Sequence, residues 1–97
     1  MSIELSKKAK EMAEKIIELL KLEYEYKLYQ DRGDTVEIYV STIDLLRNGI
    51  DISAIYLPLL WLNAAYGITT WPLRERKKLM GYVFNVPKSV IERWTKE

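Results

Sequence analysis

The sequence contains no cysteine and no histidine, and these two absences exclude much of the chemistry that small proteins commonly use. Disulfide bonds, zinc fingers, thiolate nucleophiles and Ser-His-Asp triads all need residue types that this chain lacks. A metal site would have to be built from carboxylates alone. No run of about 18 apolar residues is present, so the sequence predicts no membrane-spanning helix. We therefore expect a cytoplasmic protein without a cofactor.

The chain is also short, and its 97 residues allow one modest hydrophobic core but little room for an enclosed active-site cavity. We predict a single domain over residues 1–97, with no enzymatic activity and no small-molecule substrate. Amide side chains are scarce, with one glutamine and three asparagines among many lysines and glutamates. This bias is typical of proteins from thermophiles. By analogy, such a small protein suits a plasmid or a virus of a thermophilic host.

The first 21 residues predict a helix, because apolar residues recur every three or four positions and lysine and glutamate occupy the other side. Within this helix a strict four-three repeat forms a stripe that is typical of a coiled-coil seam. The residues of this stripe are the candidate dimer interface, and they include Leu5, Met12, Ile16 and Leu19. The same stripe also suits a helix that packs on the core of its own chain, and both interpretations stay open.

From residue 22 the apolar period changes from 3.6 to 2, which predicts a β-hairpin over residues 22–41. Pairing Leu28 with Ile38 would place the apolar residues of both strands on one face, and this pairing requires a loop of odd length. A helix that continues through Tyr29 is the alternative.

The central segment, residues 42–67, predicts two helices. Ser41 and Asp44 have the spacing of a capping box ahead of a short first helix. A second and mostly apolar helix is expected to begin near Pro58 and to end at Gly67. Because so many of its residues are apolar, we expect this second helix to be the most buried element.

Positive charge is concentrated in the last part of the chain. Residues 70–97 contain seven basic and three acidic side chains, although the whole chain has a net charge of only +1. Pro72 predicts the start of a helix that continues to Phe84, and Pro87 predicts the start of a last helix that ends near Trp94. A local basic surface attracts phosphate more strongly than the chain average suggests, because salt screens charges beyond about 8–10 Å.

The two predicted C-terminal helices resemble the helix-turn-helix of DNA-binding proteins over residues 77–94. Gly81 is small where the two helices would cross, and Asn85 occupies the turn position that needs a left-handed backbone. The predicted fold class is therefore α+β and helix-dominated: a long N-terminal helix, a β-hairpin, and then three or four helices that end in a helix-turn-helix over residues 70–96.

The resemblance implies roles for the exposed side chains of both helices. The second helix would lie in the major groove and read base edges, and the first would contact phosphates. The base-facing candidates are Lys88, Ser89, Glu92 and Arg93. The phosphate-contacting candidates are Arg74, Arg76, Lys77, Lys78 and Lys96.

The favoured function is that of a small, non-enzymatic protein that binds double-stranded DNA as a homodimer, as a transcriptional regulator or a replication accessory factor. The alternative is a protein–protein interaction subunit of a larger assembly, in which the helix pair is only scaffold. A third hypothesis, an accessory protein with a carboxylate-bound magnesium ion, has less support because no nucleophile accompanies the paired carboxylates. Trp71 is expected to be a core aromatic like Trp61 and Trp94, or alternatively an exposed contact for a partner.

Overall fold

In the computed structural model of the protein, the backbone of residues 3–96 and the side chains of residues 7–96 are described. Over this range the chain forms four α-helices and four β-strands, with a short 3₁₀ turn at Ile52–Ala54. In chain order the elements are α1 (Ile3–Glu25), β1 (Gln30–Asp31), β2 (Thr35–Ser41), α2 (Thr42–Arg47), α3 (Tyr56–Tyr66), β3 (Thr69–Glu75), β4 (Lys78–Pro87) and α4 (Lys88–Thr95).

The four strands form one antiparallel sheet in the order β1-β2-β4-β3, so β4 is hydrogen-bonded to a neighbour on each side. One face of this sheet is the core face, where Val36 and Ile38 of β2 and Phe84 and Val86 of β4 are buried. Each described helix contributes buried side chains to the same core. The molecule is only 20 Å thick in its shortest direction, which is the thickness of one sheet and one layer of helices. We call the opposite face of the sheet the outer face. Tyr39 and Trp71 are exposed on it, and the end of α1 and the start of α2 border it along β2.

Helix α1 continues past its predicted end, and this extension limits the hairpin predicted over residues 22–41 to β1 and β2, within residues 30–41. Tyr24 continues the buried stripe of the helix and packs against the core, which favours a helix over a strand at this point. The helix ends in a left-handed turn at Lys27, which has a φ of 62°. After this turn the N–H of Leu28 donates to the carbonyl oxygen of Glu23 at 2.9 Å, which closes the last turn of the helix.

The strand pairing that remains at this place is short. β1 contains only two residues, and Asp31 lies opposite Val36. Four residues connect this pair, so the loop is even in length and not odd as predicted. Its tight turn includes Gly33, which has a φ of 96° and donates its N–H to the Asp31 carboxylate. Leu28, the predicted partner of Ile38, lies outside the strands and is exposed.

The candidate dimer seam on α1 lies inside the molecule. Ile16 is fully buried and Leu19 is 9% exposed, and both belong to the hydrophobic core. Met12 is half-buried and packs against that core, and the side chain of Leu5 lies outside the described residues. The structure thus places the stripe on the core of its own chain, where these side chains offer little surface to a second copy.

The two central helices begin and end as their local signals predict, but one of them is less buried than expected. The hydroxyl of Ser41 accepts a hydrogen bond from the N–H of Asp44 at 3.1 Å at the start of α2. Gly67 ends α3 in a left-handed conformation with a φ of 70°. The prediction that α3 is the most buried element is wrong, because Tyr56 is 70% exposed and Trp61 is 38% exposed.

The largest correction concerns residues 70–96, which do not form a helix-turn-helix. The segment predicted as its first helix forms β3 and most of β4, joined by a two-residue turn, and only α4 is helical. The side chains of Tyr82, Phe84 and Val86 alternate onto the core face, and aromatic and β-branched residues in this period favour a strand. Pro72 lies in β3, which is an edge strand, and an edge strand tolerates a residue without an N–H. The fold is α+β, but a β-hairpin separates α3 from α4.

Gly81 is the position on β4 where the neighbouring strand leaves no room for a side chain. A Cβ atom here would collide with the carbonyl oxygen of Val40 and would lie 2.8 Å from both the Tyr39 ring and the Cα of Ser41. We expect Gly81→Ala to lower the free energy of unfolding by about 2–3 kcal/mol, because backbone has to move. Urea denaturation followed by circular dichroism measures this loss.

Gly33→Ala is the matched control for this substitution. A Cβ atom at Gly33 meets nothing within 4 Å, so only the left-handed backbone opposes it, at about 1 kcal/mol. A Gly81→Ala variant that is no less stable than Gly33→Ala would contradict the predicted collision.

Candidate nucleic-acid interface

The hairpin of β3 and β4 ends in a turn of two residues, Arg76 and Lys77, between the paired residues Glu75 and Lys78. Both turn residues have left-handed backbones, with φ values of 50° and 68°. A turn of this kind matches the twist of a hairpin and is normally built from Asn-Gly, because other side chains are strained there. The strain amounts to about 1 kcal/mol per residue. Two cations therefore occupy this turn although other residues would make it more stable.

Four cationic side chains lie in the turn or next to it, and we call them the tip cations. They are Arg74, Arg76, Lys77 and Lys78, all of them exposed, and Glu75 is the one acid between them. Within the described part of the chain, none of the four makes an ion pair or a side-chain hydrogen bond. The protein therefore leaves their charge available to a partner within the screening length of about 8–10 Å.

A β-bulge in β4 places the tip cations on both faces of the hairpin. The strand pairing shifts between Leu73 and Arg74, so that Met80 has no partner on β3. Arg74 lies opposite Leu79, which packs against the core, and this register puts Arg74 on the core face. Lys78 directly precedes Leu79 on β4, and because side chains alternate along a strand it lies on the outer face.

The predicted base-facing candidates lie at the other end of β4, on α4, and about 30 Å of extended strand separates them from the turn. The ammonium group of Lys88 contacts the two carboxylate oxygens of Asp31 at 2.9 and 3.0 Å. The guanidinium of Arg93 lies 5.7 Å from the centroid of the Tyr66 ring. The remaining candidates in this part of the chain, all exposed, are Ser89, Glu92 and Lys96.

The structure thus brings together four of the phosphate-contacting candidates and separates them from the base-facing ones. Because the Lys88 cation is paired with an acid, α4 offers a polyanion less free charge than its sequence suggests. A signal for the hairpin is present in the sequence: residues 69–71 and 82–84 are threonine, aromatic and valine residues on either side of a charged stretch. The predicted helix over residues 72–84 rests instead on Pro72, which suits the first turn of a helix.

An acidic groove of about 480 Å³ lies between the end of α1, strand β2 and the start of α2. Glu23, Glu37 and Asp44 line it together with Tyr39, and partial burial together with the charge of Asp44 raises the pKa of Glu23. Arg32 neutralises Glu37 at 3.0 Å. No group of three or more acidic residues in the described range is arranged to hold a metal ion. This groove is a negatively charged surface that a polyanion would avoid.

The ion pair between Asp31 and Lys88 predicts how stability changes in acid. The Lys88 ammonium and the N–H of Gly33 hold the pKa of Asp31 below its ordinary value of 3.8. The ion pair stabilises the folded state only while the carboxylate of Asp31 is charged. Its contribution to the stability is therefore full above pH 3.8 and is lost as the pH falls through the lowered pKa. We expect the Tm of the wild type to fall more between neutral pH and about pH 2–3 than the Tm of Asp31→Asn. Lys88→Gln should show an intermediate fall, and equal falls in all three proteins would contradict the assignment.

The strained turn predicts that two substitutions stabilise the protein. Arg76→Asn combined with Lys77→Gly should raise the free energy of unfolding by about 1–2 kcal/mol, because these residues adopt left-handed backbones more easily. The control is Lys8→Gln combined with Lys10→Gln, which removes the same charge from exposed positions of α1 and should change stability by no more than about 0.5 kcal/mol. If the denaturant midpoint of the turn variant is equal to or lower than that of the wild type, the turn is not strained.

Comparison with known proteins identifies no relative of this chain: it matches no family model, no curated protein and no solved structure. Over the described residues, none of the helices combines the length and the apolar composition that crossing a bilayer requires. Among the described side chains, the tip cations are a dense group of charge without an acidic partner.

Proposed function

We propose that this chain is a small, non-enzymatic protein that binds double-stranded DNA, and that the tip cations make the contact. The observation that carries the proposal is the turn itself, where Arg76 and Lys77 occupy left-handed positions that Asn-Gly would fill at lower cost. Strained residues cluster at functional sites, where the surrounding structure maintains them. Two unpaired cations at the end of an exposed hairpin are suited to binding a polyanion.

Duplex DNA is a polyanion that this hairpin fits. It carries one negative charge per about 1.7 Å of its axis, and cations that bind it release condensed counterions. A two-stranded ribbon fits the major groove, and arginine side chains enter a narrow minor groove. Because the tip cations have no acidic partner in the described chain, no ion pair has to break before a phosphate binds. Contacts to phosphates carry little sequence information, so we expect weak sequence preference.

In this proposal the hairpin replaces the C-terminal helix as the element that contacts DNA. Lys88 would have to leave Asp31 before it could contact a duplex. Helix α4 has a clear structural role instead, since its Val90 and Ile91 are buried in the core.

An interaction subunit is the second candidate function, and one observation favours it. Helix α3 contains no charged residue, and Tyr56, Leu60 and Trp61 are 70%, 48% and 38% exposed on its surface. A contiguous exposed apolar surface is typical of protein contacts. If the protein acts as a homodimer, α3 offers more exposed apolar surface to a second copy than the buried stripe of α1 does.

Binding of a random-sequence duplex should depend on salt and on the turn. We expect the combined Arg76→Asn and Lys77→Gly variant to bind about tenfold more weakly than the wild type at low salt, because two phosphate contacts are lost. The slope of log K against log salt should fall by about 2 for the same reason. Fluorescence anisotropy of a labelled duplex over a salt series measures both quantities.

Two control pairs separate the position of the charge from its amount. Lys8→Gln with Lys10→Gln removes two charges from α1, and Lys88→Gln with Arg93→Gln removes two from α4. Both pairs should keep the wild-type slope. Loss of binding in the α4 pair and not in the turn pair would assign DNA binding to the C-terminal helix. A wild type without salt-dependent binding would favour the interaction subunit.

A further inference from the structure

The outer face of the sheet carries a row of three side chains across its three longest strands. Tyr39 of β2 and Trp71 of β3 both lie opposite Val83 of β4, one on each side. Val83 is only 6% exposed although it lies outside the core cluster, between these two larger side chains. Its two neighbours therefore cover it. They themselves keep 41% and 42% of their surface exposed.

The ring of Tyr39 is held down against the sheet. Its hydroxyl donates to the carbonyl oxygen of Met80 at 2.9 Å. Its Cε2 atom lies 2.8 Å from the place where a side chain of residue 81 would begin, so the ring covers the backbone at Gly81. A ring fixed in this way loses little conformational entropy when a flat ligand packs on its exposed side.

We infer that the outer face binds single-stranded nucleic acid, with bases stacked on Tyr39 and Trp71 and the strand directed toward the tip cations. Aromatic side chains on exposed sheet faces stack unpaired bases, and every base has a face that can take part. Because only β4 separates the two residues, their Cα atoms are about 10 Å apart, so one strand can contact both rings. This inference goes beyond the proposed function, because the bases of a duplex are already stacked on one another and cannot use this surface.

Charge favours one path for the strand over the outer face. Lys78 lies on this face at the hairpin end, opposite Glu75, whereas Tyr39 itself lines the acidic groove with Glu23 and Asp44 on the side of β2. Phosphates are therefore attracted toward the hairpin and repelled from the groove. A strand satisfies both conditions if its backbone follows β3 toward the turn and only an uncharged base reaches the ring of Tyr39.

The chemistry of this surface suits a nucleic acid better than another protein strand. Pro72 removes an N–H from the edge strand β3, and charged residues follow at its end, so the edge is a poor template for an added β-strand. The face beside that edge carries two half-exposed aromatic side chains, and the tip cations lie at its hairpin end, so that bases and phosphate backbone would each find a suitable partner.

The test uses the full chain and an oligothymidylate of about 15 nucleotides. We expect this single strand to bind at low salt and to quench tryptophan fluorescence. Trp71→Leu should weaken the binding about tenfold or more and remove most of the quenching, whereas Trp71→Phe, which keeps an aromatic ring, should retain most of the affinity. Trp61→Leu is the matched control, because Trp61 is similarly exposed but lies on α3, and it should leave the affinity unchanged.

Duplex binding distinguishes a failure of this inference from a failure of the proposed function. Trp71→Leu should bind a duplex as tightly as the wild type does. The combined Arg76→Asn and Lys77→Gly variant should bind the duplex about tenfold more weakly. Absence of oligothymidylate binding, or equal binding by wild type and a folded Trp71→Leu variant, would overturn the inference whatever the duplex result. A dimer in light scattering that Trp71→Leu converts to a monomer would assign the face to a second copy and would overturn it too.

Discussion

Strand β4 is hydrogen-bonded to β2 on one side and to β3 on the other, and both proposed binding surfaces depend on that position. On the core face its side chains, with Phe84 fully buried, close the core against the helices. On the outer face Gly81 leaves space for the Tyr39 ring, and Val83 lies between the two aromatic side chains. Because β2 ends at Ser41 while β3 and β4 continue together, the turn of this hairpin extends beyond the rest of the sheet.

The same strand divides the positive charge of the C-terminal segment into two groups with different properties. At the end next to α4, Lys88 is bound by Asp31, and its backbone N–H also donates to the carbonyl oxygen of Asp34. At the turn, the tip cations have no acidic partner among the described residues. Attraction to a polyanion depends on charge that the protein has not already neutralised, so the number of lysines and arginines in a segment is a poor guide to where it binds.

Local signals predicted several elements correctly, and the failures occurred where one pattern fits two structures. The hydroxyl cap of Ser41 and the left-handed Gly67 depend on neighbours within four residues, so the ends of α2 and α3 follow from sequence. Tyr24 fits an alternating strand and a continuing helix equally well, and packing against the core decides for the helix. Pro72 suits the first turn of a helix and also an edge strand, and pairing with β4 decides for the strand.

The sequence by itself determined what chemistry is absent, where most helices begin and end, and that positive charge accumulates after residue 70, because each of these is a property of composition or of close neighbours. Only the tertiary structure decided that residues 69–87 form a hairpin, which of its cations remain unpaired, and that Tyr39 and Trp71 share one face. The hairpin is one of two structures that its local pattern fits, whereas the other two features depend on contacts between segments that are distant in the chain, such as Asp31 with Lys88 and β2 with β4. Local periodicity contains no information about such contacts.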